Sequence, residues 1–450
     1  MKFARHLALA ACIVGLLAGV QTRHVTAQAP QAPSTQASAP PAPPQAYALP
    51  PDKLTKAIAL TRIRHILEIA GSVWSLAFLW LMLATRAWSG IEAWSRRVAK
   101  RRWVQGVFFF AVFFLLATLA GLPFDWYSQH ASRAYGISVQ GWGSWFGDQA
   151  KSFGLLLVFG IPLLLLFHWI VRRWPRRYWF GLWVATVPIL VLTLFVSPLI
   201  EPIFNKFEPL SKNYPQLVQE LEKVAARTGT NIPPDRMFLM KASLKTNGLN
   251  AYVTGLGATK RIVVWDTTAG RIPDDQVLFV FGHESGHYVL NHIPKAIAIY
   301  SVALFFVYWA CAGFAAWLIR RFGSQWGILP SQRPAPAEPW QSSRAGFVAL
   351  LFVVFLANFL LQPAQSTYSR YDEHQADVYG QEAIHGIVAD PQATTVAAFN
   401  SLGQAYLDDP NPNRVIEFWL YSHPSTQHRA TFALHYNPWV NGGRGEFFGN

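Results

Sequence analysis

The chain has 450 residues, of which 52% are hydrophobic and 14% charged, whereas soluble domains typically carry about 25% charged residues. This composition excludes a disordered chain, a collagen and a protein that is solvated on all sides. Cys12 and Cys311 lie far apart in apolar stretches, so neither a disulfide scaffold nor a cysteine metal site is expected. The formal net charge of +14 suits either nucleic acid or a membrane surface as a partner, and the position of the charges decides between them.

The N-terminus has the pattern of a secretory signal peptide over residues 1–27, with an uncleaved N-terminal anchor as the alternative. Lys2 and Arg5 precede the apolar run Leu7–Val20, and small residues up to Ala27 suit cleavage. Residues 28–52 form a linker rich in proline, alanine and glutamine, which lacks the apolar content needed to fold.

Six apolar windows follow, each close to the length of about 20 residues that crosses a bilayer. Four lie in residues 53–200 and two in residues 296–363, and tryptophan, tyrosine and arginine at their ends suit the membrane interface. The windows are Ile66–Thr85, Val104–Leu122, Phe153–Val171, Tyr178–Leu199, Ala296–Ile319 and Ala345–Leu361. Six such windows predict a polytopic membrane protein rather than a soluble protein with buried core helices.

Alternate connections between these windows are strongly basic. Arginine is concentrated in the first-to-second, third-to-fourth and fifth-to-sixth connections, whereas Asp125 and Asp148 balance the second-to-third connection. The positive-inside rule places the basic connections in the cytoplasm, and therefore residues 201–295 and 364–450 on the exported side. The basic charge is thus explained by membrane topology, and nucleic acid is not an expected partner.

Residues 201–295 interrupt the membrane pattern and are predicted to fold outside the bilayer as a metallopeptidase segment. An amphipathic helix is predicted over Lys206–Gly229, a strand over Met237–Met240, and a hairpin that turns near Gly257–Thr259. Pro273 is predicted to start a helix and Pro294 to end it.

The predicted helix at Pro273 carries the motif His-Glu-x-x-His. His283 and His287 are four residues apart, so they share a helix face and can bind one zinc ion. Glu284 points elsewhere, where it can reach a metal-bound water. Gly282 and Gly286 lower helix propensity, which is tolerated where a backbone or a ligand comes close.

A catalytic zinc site needs a third protein ligand, and the segment after the sixth window offers one. If the helix of that window continues, Glu373 and Asp377 share a face. Glu373 can then bind the metal, while Asp377 accepts the N–H of a ligand imidazole. Asp372 and His374 are rival ligands that the spacing does not exclude.

Over about residues 50–435 the chain resembles the Ste24 (CAAX prenyl protease 1) branch of the M48 membrane metallopeptidases. The matching segments are Gly282–His287 with Leu290 and His292 following, Asn250–Tyr252, Lys260–Thr267, Glu373–Asp377 and His423-Pro424 with Arg429. The resemblance implies a mainly α fold, in which a polytopic membrane α-helical barrel surrounds a chamber. It also implies an inserted zincin-like metallopeptidase domain that contains a small β-hairpin or sheet, with residues 364–450 completing the zinc site.

The resemblance further implies one zinc ion per chain and a role for each matching residue. The implied zinc ligands are His283, His287 and Glu373. The implied general base is Glu284, the implied support of a ligand is Asp377, and the implied oxyanion stabiliser is His423, with Arg429 structuring its surroundings. The implied substrate-binding strand contains Asn250, Ala251 and Tyr252.

We therefore expect an integral-membrane zinc metalloendopeptidase of a bacterial inner membrane, which hydrolyses peptide bonds through a Glu284-activated zinc-bound water. Its expected partners are the lipid bilayer and a polypeptide substrate, in processing or quality control of membrane or exported proteins. One alternative is a CAAX prenyl endopeptidase acting on lipidated C-terminal peptides, but prenylated proteins are made in the cytosol. Another is a non-catalytic membrane chaperone or scaffold with a structural zinc, which has no need of Glu284. The sequence does not predict the oligomeric state.

Overall fold

The computed structural model describes residues 46–255, 257–330 and 339–449, so the predicted signal peptide and most of the linker lie outside the described residues. The first elements are α1 (Pro51–Ala84), α2 (Ala87–Val98), α3 (Arg102–Ala134), α4 (Trp142–Leu155), α5 (Ile161–Arg173) and α6 (Tyr178–Phe204). The next are β1 (Phe207–Pro209), α7 (Pro215–Thr228), β2 (Met237–Met240), β3 (Ala251–Thr254), β4 (Arg261–Trp265) and α8 (Asp274–Val289). The last are α9 (His292–Phe322), α10 (Arg344–Ala383), α11 (Pro391–Tyr406), α12 (Arg414–Leu420) and α13 (Thr426–His435).

Six helices in the described part of the chain are long and apolar enough to cross a membrane, with the joined pair α4 and α5 taken as one. They coincide with the six predicted windows. Only 11% to 50% of the residues in their most apolar stretches are buried within the protein. A core helix of a soluble protein hides its apolar stripe, so these exposed apolar surfaces suit lipid and not water.

The membrane helices pack around an aromatic core. Trp88, Phe109, Phe113 and Phe167 are each at most 1% exposed, and the rings of Trp88 and Phe113 lie 5.2 Å apart. Lipid tails are as apolar as these rings, so close packing holds the helices together more than exclusion from water does.

A second core lies in the part of the chain that carries the sheet. The strand order is β1-β2-β4-β3; β2 and β4 are parallel and the other pairs antiparallel. Leu239 and Val264 of the sheet pack with Leu221 of α7 and Phe279 of α8 in one buried cluster. The predicted strand at Met237–Met240 and the predicted hairpin are both present, and β3 is an edge strand of the sheet.

The predicted helix over Lys206–Gly229 is wrong in its first third. Residues Phe207–Pro209 form β1, and the helix begins only at Pro215. Phe207 pairs with Met240, so strand pairing overrides the helical spacing there. A proline is tolerated at a sheet edge and at the first position of a helix, which suits both positions.

The predicted end of the motif helix at Pro294 is also wrong. α8 ends at Val289, and Asn291, with a φ of 56°, turns the chain into α9. Pro294 lies in the first turn of α9, where the missing N–H would have no helical partner. The proline therefore belongs to a helix start, not to a helix end.

The residues just before α1 are fixed on α11 and α13. Tyr47 is fully buried; its backbone N–H donates to Gln427 Oε1 at 2.9 Å, and its hydroxyl donates to the carbonyl oxygen of Asp408 at 2.9 Å. Its ring lies against Gly403, where a Cβ would come within 2.6 Å of ring atoms. The beginning of the first membrane helix therefore lies on the same side as α11 and α13.

The C-terminal residues 446–448, here called the C-terminal hook, bind the end of α10 through Glu382. The buried carboxylate of Glu382 accepts the backbone N–H groups of Glu446, Phe447 and Phe448 at 2.6, 2.8 and 2.8 Å, and it also accepts the hydroxyl of Tyr436. An ionised carboxylate is strongly disfavoured in a dry interior unless donors surround it. These four donors stabilise the end of α10 in its place.

Candidate active site

Glycines allow α8 and α10 to cross at close range. A Cβ on Gly380 of α10 would lie 2.8 Å from the backbone nitrogen of His283, and a Cβ on Gly282 would lie 3.1 Å from the Gly380 carbonyl oxygen. One turn further along α8, a Cβ on Gly286 would lie 3.0 Å from the Tyr379 side chain. The glycines around the motif therefore serve this helix contact, and the contact brings α10 against the motif histidines.

The side chains of three residues, His283, His287 and Glu373, converge at the crossing of α8 and α10. His283 Nε2 lies 3.2 Å from His287 Nε2 and 3.4 Å from Glu373 Oε2, while His287 Nε2 lies 3.5 Å from Glu373 Oε1. Ligands at 2.0–2.1 Å around a tetrahedral zinc ion stand about 3.3 Å apart, which matches these separations. Glu373 Oε2 is buried, with His283 Nε2 at 3.4 Å and Arg429 Nη2 at 3.6 Å, distances longer than the usual range of an N–H···O hydrogen bond, so this oxygen can bind a metal. The residues fit a zinc ion.

Asp377 and Arg429 support His283 from behind. Asp377 Oδ1 lies 2.9 Å from His283 Nδ1, and Arg429 donates to both oxygens of Asp377, at 2.5 Å from Nη2 and 2.9 Å from Nε. Because Nδ1–H donates to the carboxylate, the lone pair of His283 is at Nε2, which faces the other donors. The shortest contacts of Arg429 at the site are therefore those with Asp377, and its Nη2 also lies 3.6 Å from Glu373 Oε2.

His287 is supported by a second chain of contacts, through His292 and Gln375. His292 Nδ1 lies 3.0 Å from His287 Nδ1, and His292 Nε2 lies 3.3 Å from Gln375 Oε1. The amide oxygen of Gln375 can only accept, so His292 carries its proton on Nε2 and accepts at Nδ1. His287 must then donate from Nδ1, which leaves its lone pair at Nε2, where the other donors converge.

The charges of the site favour a cation. Burial alone lowers the pKa of His283, but its hydrogen bonds to Asp377 and Glu373 outweigh burial and raise that pKa to about 9. Burial lowers the pKa of His287 to about 3, so this imidazole is neutral and free to bind a metal. The raised pKa shows that the carboxylates around His283 stabilise a positive charge there; a divalent ion can take the place of the proton on Nε2 and so bind the freed lone pair.

Glu284 lies beside this cluster on the free edge of the sheet. Trp265 N–H donates to the Asn250 carbonyl at 3.0 Å, and pairing alternates along an antiparallel ladder, so the backbone groups of Ala251 and Val253 point away from β4. The Val253 N–H donates to the Glu284 carboxylate. Burial raises the pKa of Glu284 to about 7, which suits a group that takes and returns a proton.

His423 completes the ring of polar groups around Glu373. It follows α12, and its Nε2 lies 3.1 Å from Glu373 Oε1, while its Nδ1 lies 2.9 Å from the hydroxyl oxygen of Ser422.

Two family matches cover most of this chain. Residues 211–436 match Peptidase family M48, and residues 31–206 match the CAAX prenyl protease N-terminal family, described as five membrane helices. The metalloprotease YhfN of Bacillus subtilis is 31% identical over 385 residues, which are 85% of this chain and 86% of that protein. The chain belongs to peptidase family M48.

Other relatives of this M48 peptidase are named for prenyl proteolysis. CAAX prenyl protease 1 of Saccharomyces cerevisiae is 28% identical over 342 residues, which are 74% of this chain and 72% of that protein. The crystal structure of Saccharomyces mikatae Ste24p has a TM-score of 0.72 at 22% identity and covers 96% of both chains, which shows the fold. The predicted fold class, the predicted resemblance and the predicted class of membrane zinc metalloendopeptidase are confirmed, and the substrate is a polypeptide.

Asp372 and His374, the rival ligands, do not join the group of metal-binding side chains in the M48 site. The ring of His374 packs on Phe432 with ring centroids 4.6 Å apart, and Asp372 accepts a hydrogen bond from Tyr368. Among the described residues, the group that can hold a metal ion consists of His283, His287 and Glu373.

The predicted substrate strand contacts the site through Val253, which is not one of the predicted substrate-binding residues. Tyr252 donates its hydroxyl to Glu201 at 3.2 Å, and the backbone of Asn250 is bonded to Thr268. Ala251 is buried. Val253 makes the contact with Glu284. Its N–H is free to do so because β3 is an edge strand, which the sequence does not show.

Two further residues of the M48 site, His292 and Gln375, were not assigned a role from the sequence. His292 lies five residues after His287, a spacing that an uninterrupted helix would not place on the same face. The turn at Asn291 redirects the chain and brings His292 back. Gln375, two residues after Glu373, was visible as part of the family pattern only.

Proposed function

We propose that this chain is a zinc endopeptidase of a bacterial inner membrane that cuts membrane-bound or exported polypeptides. In this proposal His283, His287 and Glu373 bind one zinc ion per chain. The observation that carries it is the convergence of the two Nε2 atoms and the Glu373 carboxylate, with the Glu284 carboxylate held beside them by Val253.

The proposed chemistry divides between the metal and Glu284. A bound zinc ion supplies a Lewis acid for the scissile carbonyl and lowers the pKa of a coordinated water toward 7. Glu284 takes a proton from the attacking water on a carboxylate oxygen and delivers it to the nitrogen of the leaving amine. The Val253 N–H fixes the orientation of this carboxylate, so the group does not need to reorganise between the two transfers.

His423 and Arg429 have different parts in this proposal. His423 Nε2 faces the site, where an N–H can stabilise the oxygen that gains charge as the carbonyl is attacked. Arg429 is a positioning residue, because its guanidinium holds Asp377 and Asp377 orients His283.

The substrate is proposed to add as an extended strand on the free edge of β3. The outward backbone groups of Ala251 and the outward carbonyl of Val253 offer the hydrogen bonds of a further strand pair, while the Val253 N–H stays on Glu284. Such a strand would run past Glu284, since the Val253 N–H already reaches that carboxylate. Main-chain bonds of this kind bind many sequences, which suits a peptidase of broad specificity.

The test of the mechanism compares two glutamate variants of the purified protein. We expect Glu284→Gln to keep one zinc per chain and to lose about 10²- to 10⁴-fold in kcat, the usual contribution of acid–base catalysis. Glu373→Gln is the matched control, and we expect it to lose zinc. Zinc content is measured by metal analysis after gel filtration. Stoichiometric zinc loss from Glu284→Gln would show that Glu284 is a ligand and not the base.

The exported position of the site is a second proposal. The arginine-rich connections support it, and so does the anchoring of Tyr47, which puts the start of α1 beside α11 and α13. Alkaline phosphatase fused after residue 449 is expected to be active, and a cytoplasmic reporter at the same point inactive. The reverse pattern would overturn the proposal.

The relatives favour a second candidate, CAAX prenyl endopeptidase activity, because several carry that name. Matched peptides, one farnesylated at a C-terminal Cys-a-a-X and one bare, separate the two candidates, with Glu284→Gln as the blank. Cleavage of both peptides, stopped by zinc chelation, supports a general endopeptidase. Cleavage of the farnesylated peptide alone supports the prenyl candidate.

A further inference from the structure

A recess of about 440 Å³ lies on the membrane helices, between the start of α6, the middle of α9 and the residues before α10. It is at the opposite end of α6 from the peptidase part, where Lys245 donates to the Phe204 carbonyl at 2.6 Å. The 27 residues of α6 extend over about 40 Å. The recess therefore lies at the arginine-rich membrane surface, remote from the metal site.

The walls of this recess are aromatic and held in place. Tyr178 donates its hydroxyl to the Ala312 carbonyl at 3.2 Å, and its ring meets that of Trp340 at 5.6 Å and 86°. Trp179 and Trp309 also line the recess. The floor is open at Gly313, because a Cβ there would meet no atom within 4 Å. A cavity of this size falls within the range of small-molecule sites.

The charge of the recess is positive. Arg176 is the one charged residue among the described residues that line it, and no aspartate or glutamate does so. Arg176 is exposed and forms no ion pair within the described ranges, and Arg173 and Arg177 lie on the same turn. Trp309, at 62% exposure, opens the recess to the membrane-facing surface. Tryptophan and arginine together are typical of the level of lipid headgroups.

We propose that this recess binds one anionic phospholipid of the surrounding bilayer. Its phosphate pairs with the Arg176 guanidinium, and an acyl chain lies over Gly313 between Trp179 and Trp309. Guanidinium–phosphate pairs are strong because both groups are charged and their geometries match. A phosphatidylcholine headgroup would bring a quaternary ammonium group near Arg176, a like charge, whereas phosphatidylglycerol brings none, so an anionic headgroup is preferred.

The test measures lipid retained by the purified full-length protein in native mass spectrometry. The protein is titrated with phosphatidylglycerol or with phosphatidylcholine of identical chains. We expect the protein to hold one phosphatidylglycerol molecule tightly and to bind phosphatidylcholine at least fivefold more weakly. Arg176→Gln should weaken the binding of phosphatidylglycerol about fivefold, which is the usual effect of one arginine at an anionic surface. Gly313→Leu should fill the floor and abolish the tightly held lipid.

Two variants control for charge and bulk. Arg173→Gln removes an exposed arginine of the same turn that does not line the recess, and Gly154→Leu adds bulk at an open membrane-helix position. Both are expected to bind phosphatidylglycerol as the unaltered protein does. Equal retention of the two lipids, or equal losses in Arg176→Gln and Arg173→Gln, would overturn the proposal.

Discussion

The close crossing of α8 and α10 makes Gly380→Ala an informative perturbation. The new Cβ would lie 2.8 Å from His283 N and 3.0 Å from His283 Cα, both backbone atoms of α8. Carbon atoms reach their optimum at about 3.5–4.0 Å, and a backbone cannot turn aside as a side chain does. The two helices must therefore separate by several tenths of an ångström.

The separation acts on the metal site more than on the stability of the fold. Overpacking costs about 1–3 kcal/mol, and replacing a helical glycine by alanine returns about 1 kcal/mol of helix propensity. The free energy of unfolding should therefore fall by about 0–2 kcal/mol. Glu373 and Asp377 are on the displaced helix and His283 is on the other, so their contacts of 3.4 and 2.9 Å lengthen directly. Disturbed support of a ligand typically costs 10- to 100-fold in metal affinity, and we expect about tenfold.

The assay is zinc occupancy against a series of buffered chelator concentrations, with activity measured in parallel. Gly154→Ala is the control, because its Cβ meets nothing within 4 Å. Gly286→Ala should fall between the two, since its new Cβ would lie 3.0 Å from Tyr379 Cβ, a looser contact than the 2.8 Å from the backbone at Gly380. Unchanged zinc affinity in Gly380→Ala would show that the crossing distance does not control the site.

Three further predictions concern the surroundings of the site. His292→Ala should lower zinc affinity about tenfold by freeing the tautomer of His287, and the same chelator series would refute the tautomer argument if affinity stayed unchanged. Arg429→Gln leaves the buried Asp377 carboxylate without its counter-charge, so the free energy of unfolding should fall by about 3–5 kcal/mol; a thermal melt in detergent that does not shift would contradict this. Burial raises the pKa of Asp408 to about 6, so the folded state favours its protonated form, and this contribution is lost as pH rises from about 4 through 6. Asp408→Asn should therefore stabilise the protein by at most about 3 kcal/mol at pH 7.5 and by little at pH 4, and equal gains at both pH values would refute the assignment.

Local spacing predicts the chemistry of the motif helix, because residues four apart share a face in any α-helix. His283 and His287 are therefore predictable as a pair before any tertiary structure is known. The same rule places Glu373 and Asp377 together, given one assumption, that the sixth membrane helix continues past Pro363. The structure shows this continuation, with α10 running to Ala383.

The other features of the fold and of the site depend on contacts between segments that are distant in the chain, and such contacts leave no periodic signal in the sequence. Nothing in the spacing around Gly380 indicates that it meets His283, and nothing around Val253 indicates that its N–H faces Glu284. The error at Phe207 has the same origin, since a strand partner more than thirty residues away outweighs local helical spacing. His292 matched the family pattern but received no role, because one residue of positive φ separates it from the motif helix and local spacing does not place it beside His287.

The C-terminal hook on Glu382 has a consequence for the order in which the protein is made. Glu382 is on the same helix as Glu373, and its buried carboxylate gains three of its donors from residues 446–448. During synthesis, the end of this helix therefore stays unsecured after all six membrane helices have left the ribosome. The membrane helices can insert first, and the peptidase site becomes fixed only when the chain through Phe448 has emerged. The chain can therefore insert into the membrane before its peptidase site is able to hydrolyse a substrate.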